Sequence, residues 1–174
     1  MLEKGLYRDK GWLEISLYPL FSPQSFIAEG SANFGIEMAF PGYEYNRFIK
    51  EVLLPIAGLD TTNFDTYLRA VRLKKQLAYA HNEVARGIID RTMSDEESLR
   101  WSLDYFLLPK QVIARRIKFI QKYRSYVICY NYGEDVVRNY VEKMNPKQEN
   151  NDGRWQVLSR LLSSPTTPRD LLKD

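Results

Sequence analysis

A chain of 174 residues with 44% hydrophobic and 27% charged side chains, including 12 Tyr, 8 Phe and 3 Trp, has the composition of one folded domain and not of a disordered segment. Its 25 basic and 22 acidic residues leave a net charge of only +3, far from the densely basic surface of a dedicated nucleic-acid binder, so no nucleic-acid partner is expected. The single cysteine, Cys129, excludes an intrachain disulfide and a cysteine-based zinc knuckle and points to a reducing, cytoplasmic setting; no signal-like stretch opens the chain, and no apolar run reaches the ~18 residues of a membrane span, so no membrane association is expected.

Punctuation sets out the elements. Ser22-Pro23 supplies an N-cap followed by proline at the first helical position, where its missing N–H costs nothing. A helix is predicted from Pro23 to about Phe40, ending at Pro41-Gly42. A second, roughly Tyr43 to Ala57, would bury Phe48, Val52 and Ile56, with Pro55 kinking its end. Asp60-Thr61-Thr62-Asn63 caps a long helix in which Phe64, Tyr67, Leu68, Val71, Leu77, Val84, Ile88 and Ile89 recur near helical spacing.

Ser94-Asp95-Glu96-Glu97 reads as a capping box, and the helix behind it carries Leu99, Leu103 and Phe106 on one face. Leu108-Pro109 opens another long helix holding Val112, Ile113, Ile117, Ile120 and Val127; Val136 to Met144 continues it after a break at Gly133. Asn145 to Gly153 reads as a polar loop, Trp155 to Leu162 as a short helix, and Arg169 to Leu172 as a last turn behind Pro168. Alternation long enough for a strand is absent, and so are internal repeats. The expected fold is all-α, a bundle of about six to eight helices. Residues 1–144 form the helical domain, and 145–174 a polar linker followed by short C-terminal helices packed on that same domain.

The stretch Ser22 to Glu37 carries the most information. Gly30, Ser31, Ala32 and Gly35 lower its helix propensity, each glycine by about 1 kcal/mol against alanine, which makes sense where another helix or a ligand must approach closely. Glu29 and Asn33, four apart, project from one face. Glu29-Gly30-Ser31-Ala32, together with Tyr7-Arg8-Asp9-Lys10-Gly11-Trp12 and Pro23-Gln24, resembles the C-terminal half of an all-helical bacterial family related to gluzincin-type zinc metallopeptidases. In that family a first helix carries an HExxH-like motif and a later one supplies a glutamate in an E-G-x-A context. His81-Asn82-Glu83, the Ser94 box and the tyrosine-rich run from Tyr123 through Tyr130 to Gly133 look like its later helices, so the resemblance spans most of the chain. It implies the C-terminal part of a metallopeptidase-like helical fold, with Glu29 as third zinc ligand and Tyr126 and Tyr130 as stabilisers of a developing oxyanion.

The sequence departs from this pattern where the chemistry is decided. A zinc hydrolase of this class needs two helical histidines and a glutamate between them as water-activating base. Here there is one histidine, His81, and no HExxH. The chain therefore reads as a truncated or half-site metallopeptidase-like protein without hydrolase activity or cofactor of its own. Glu29 would meet zinc only if histidine ligands come from elsewhere; completed in that way, the protein would be a zinc-dependent peptidase. Read from the residues alone, Glu29 is just as well a helix-interior carboxylate hydrogen-bonded to a neighbouring helix.

The alternative is a helical interaction or oligomerisation module with no metal chemistry. A homo-oligomer, or a partner chain carrying the histidine helix, is expected, because loss of that neighbour would expose Phe26 and Phe34 on the helix that starts at Pro23, together with adjacent tyrosines. The competing outcome is that residues Leu2 to Leu20 fold over that face. His81 reads as a surface or hydrogen-bonded structural residue, and tyrosines 123, 126, 130 and 132 as core and cleft wall. The basic run Arg115, Arg116, Lys118, Lys122 and Arg124 reads first as a solvated helix face, and as the lesser alternative as a phosphate-holding face of a nucleic-acid binder, whose mark would be steep salt dependence.

Overall fold

The computed structural model describes residues 3–17, 19–145 and 151–173. Among the described residues every regular element is helical, as expected of an all-α chain. A π turn (Glu3–Arg8) and a 3₁₀ turn (Leu13–Ser16) precede α1 (Pro23–Ala39). Then come α2 (Glu44–Phe48), a π turn (Ile49–Leu53), α3 (Leu54–Ile56), α4 (Phe64–Gln76), α5 (Ala80–Ile89), α6 (Asp95–Tyr105) and α7 (Lys110–Tyr123). A 3₁₀ turn (Arg124–Val127) leads into α8 (Ile128–Met144), followed by α9 (Asn151–Ser163) and α10 (Pro168–Leu171). Of the predicted polar loop, residues 146–150 lie outside the described residues. No described helix is long and apolar enough to cross a membrane. The chain divides into two compact units, Met1–Gly42 with Cys129–Asp174, and Tyr43–Ile128.

In the first unit α1 and α8 meet at their glycines. A Cβ on Gly30 would stand 2.3 Å from the carbonyl oxygen of Gly133, and one on Gly133 would stand 2.9 Å from that of Phe26. Backbone meets backbone, so Gly30 answers to a helix of the same chain, whereas Gly35 faces open space. Gly133 accordingly sits inside a continuous α8 and does not break it. α9 and α10 pack on α1 as well. The expected exposure of Phe26 and Phe34 is thus corrected: both are buried, Phe34 completely, because the chain covers α1 itself. Tyr132 closes over Phe26 edge-on, ring centroids 5.7 Å apart.

In the second unit α5, α6, α7 and the Arg124–Val127 turn close around Val84, Ala85, Phe106, Ile113 and Ile120. The capping box forms as predicted: Ser94 Oγ accepts from the Glu97 N–H at 3.2 Å, and Glu97 Oε2 accepts from the Ser94 N–H at 2.8 Å. Behind it the buried positions are Ser98 and Ser102, with Phe106 after the helix, while Leu103 faces solvent. Serine permits a closer helix approach than leucine, and Ser102 satisfies its own hydroxyl on the Ser98 carbonyl at 2.6 Å.

Three boundaries differ from those expected. Asn151 to Gly153, the end of the expected polar loop, already belong to α9. The predicted helix from Phe64 to Ile89 is two helices, because the N–H groups of Leu77, Ala78 and Ala80 bond three residues back to Lys74, Lys75 and Leu77. The long helix from Lys110 breaks at Arg124, whose φ of 52° lies in the left-handed region that glycine favours.

Candidate functional site

Glu29 stands half-buried on α1 next to the glycine crossing. Four residues on, Asn33 Nδ2 donates to the Tyr130 carbonyl oxygen at 2.8 Å, so this face of α1 looks onto the start of α8. Cys129 lies there too: burial, reinforced by the negative charge of Glu29, pushes its thiol up to about 11. The structure therefore brings Glu29 and the Tyr130 region together. Tyr126 belongs to the other unit, buried in the turn after α7 with its ring 6.4 Å from that of Tyr123.

One carboxylate and one thiol are short of the three protein ligands a catalytic zinc takes. Among the described residues no group of three or more His, Cys, Asp or Glu side chains is placed to hold a metal ion.

The densest polar constellation of the first unit is one the sequence reading did not foresee. Glu37 on α1 accepts from Arg138 through Nε at 3.1 Å and Nη2 at 2.9 Å. Arg138 also reaches Glu134 at 2.5 Å and Asp135 at 3.0 Å on its own helix. Arg154 on α9 spans Glu37 at 3.1 Å and Glu142 at 2.7 Å. Burial works against the charge on Arg138, yet its bonds to Glu134 and Glu37 outweigh that and hold the guanidinium above its ordinary pKa. Both guanidinium carbons lie 5.4 Å from the centroid of the buried Phe34 ring. The network fastens α9 and α8 to α1, and every carboxylate in it is engaged.

His81, in the second unit, stacks on Phe106 with ring centroids 3.6 Å apart and planes 12° from parallel. Its Nδ1 lies 3.2 Å from the Ala78 carbonyl. Burial lowers its pKa below the usual value; the Ala78 bond opposes that, and the charges of Arg116 and Lys74 add to the lowering. The folded state thus prefers the neutral ring. As pH falls below about 6.5 the unfolded chain takes up the proton first, so stability present above that pH is lost on the way down to the depressed folded pKa. Thermal midpoints should therefore decline between pH 7.5 and 5 in the wild type more steeply than in His81→Phe, which keeps the stack without the charge. Parallel pH profiles would refute this.

A different kind of surface covers residues 43–76. Neither α2 nor the following π turn nor α3 has a buried residue, and α4 has one, Phe64. Phe48, Val52 and Ile56, predicted to be a buried face, are all exposed. Exposure reaches 83% at Tyr43, 79% at Ile56 and 62% at Tyr67, with Leu59 and Leu73 also open. A salt bridge from Lys50 to Asp65 at 2.9 Å ties the π turn to α4.

Comparison with protein-family models, curated proteins and solved structures gives no match. The functional reading rests on the chain's own surfaces. Helical periodicity showed that residues 43–57 have an apolar face. It could not show that the fold leaves that face uncovered.

Proposed function

We propose that this chain is a helical interaction module that associates through the apolar helices of residues 43–76. One observation carries the reading: Phe64 is the single buried residue of the helices between Glu44 and Gln76, although the segment is rich in large apolar side chains. Each Å² of apolar surface left in water forgoes about 25 cal/mol, and contiguous apolar patches above a few hundred Å² mark association sites. A second copy of the chain is the simplest occupant. The crossing of Gly30 with Gly133 supports this choice over the half-site metallopeptidase, since it accounts for Gly30 without an absent histidine helix.

Sedimentation across a wide concentration range tests it. The wild type should form dimers or larger species, and Ile56→Asp with Tyr67→Asp should restore a monomer with unchanged helicity, because neither residue is buried. A strict monomer at high micromolar concentration would sink the self-association. Zinc-stimulated peptide hydrolysis that disappears in Glu29→Ala would favour the metallopeptidase reading instead.

A further inference from the structure

The overall charge of +3 hides an uneven division. Residues 43–128 hold 15 of the 25 basic and 10 of the 22 acidic side chains, a net +5, which leaves −2 on the remainder. The excess is concentrated on α7, which carries Lys110, Arg115, Arg116, Lys118 and Lys122, no acidic residue, and Arg124 immediately after it. All six cations are exposed. Among the described residues none of them joins an ion pair, whereas Arg138 and Arg154 in the other unit are held between carboxylates.

Arg115, Lys118 and Lys122 fall at i, i+3 and i+7, a single stripe opposite the buried Ile113 and Ile120. Of the basic residues on α4, Lys74 bears on His81, as Arg116 of α7 does. At 1.5 Å per residue the stripe is about 10 Å long, which matches about three nucleotide steps along one strand of a duplex at 3.4 Å each.

We propose that the outer face of α7 binds the phosphodiester backbone of a nucleic acid, independently of sequence, through Arg115, Lys118 and Lys122. A membrane surface fits less well, because a helix lying on a bilayer inserts its apolar face, and that face of α7 is already in the core. An acidic protein fits less well too, because protein interfaces centre on apolar anchors and the stripe has none. A line of like charge suits a line of opposite charge. The inference is independent of the association proposed for residues 43–76.

Fluorescence anisotropy of the intact chain with labelled mixed-sequence single-stranded RNA, single-stranded DNA and duplex DNA tests it. The three contacts should contribute a slope of log K against log salt of about −2 on single strands and about −2.7 on duplex, which is a loss of about 15- to 40-fold between about 50 and 200 mM. The triple variant Arg115→Gln, Lys118→Gln, Lys122→Gln should lose that slope and bind at least about tenfold more weakly at the low-salt end. Lys10→Gln, Arg160→Gln, Arg169→Gln removes the same charge from exposed positions of the other unit and should bind within about twofold of wild type. The single substitutions on α7, each shedding a slope of about 0.7 on single strands, give the same readout should the triple variant fold poorly. Three results would overturn the proposal: no binding by the wild type at low salt, equal losses in both triple variants, or retention on phosphatidylserine vesicles with none on nucleic acid.

Discussion

Gly30→Ala should destabilise the protein strongly, while Gly35→Ala on the same helix should stabilise it. Both substitutions gain about 1 kcal/mol of helix propensity. At Gly35 nothing lies within 4 Å of the new Cβ, so the gain stands. At Gly30 the new carbon would be 2.3 Å from the oxygen and 2.4 Å from the carbon of the Gly133 carbonyl. No flexible side chain can swing aside, so α1 and α8 must move apart along their contact. Overpacking costs typically 1–3 kcal/mol where side chains can adjust, and a backbone clash belongs at or above the top of that range. The clash wins, by about 2 kcal/mol net. Urea midpoints of the two variants measured side by side check the sign as well as the size. If Gly30→Ala proves as stable as Gly35→Ala, the close crossing is wrong.

That pair also shows what a sequence can and cannot disclose. Both helix starts, Ser22-Pro23 and Ser94 to Glu97, are where the structure has them; the Ser94 box finds its partner three residues on, whereas the Ser22 side chain makes no cap bond and proline alone marks that start. Gly133 looked like a helix break because the reason for it, Gly30, lies far away in the chain. Glu134, Asp135 and Arg138 are spaced to pair on one helix, but Glu37 is 101 residues from Arg138, and no local pattern announces it. Phe34 was legible as apolar, and its burial follows from helices that arrive much later in the chain. The cations of α7 were legible one by one. Their weight becomes visible once the fold separates a unit of +5 from one of −2. At the predicted metal site, Glu29 and Tyr130 come from opposite ends of the first unit onto one crossing, whereas Tyr126, only four residues before Tyr130, falls in the second.

Phe34→Ala should be the costliest truncation in the first unit. The ring is wholly buried, and removing a buried phenylalanine side chain costs about 3–5 kcal/mol in lost transfer energy and residual cavity. The neighbours raise the stake further. Arg138 and Arg154 each place a guanidinium carbon 5.4 Å from the ring centroid, and a cation–ring contact contributes about 0.5–2 kcal/mol according to how far it is desolvated. Phe34→Leu separates the two contributions: it keeps most of the apolar volume but removes the π face, so its cost should fall near 1–2 kcal/mol. Combining Phe34→Leu with Arg154→Met in a double-mutant cycle isolates the contact, and residues that touch in this way couple by about 0.5 kcal/mol or more. Arg154→Met alone also strands Glu37 and Glu142, but that loss appears in both limbs of the cycle and cancels. A coupling of zero would mean that Phe34 only fills space and that the carboxylates alone hold α9 to α1.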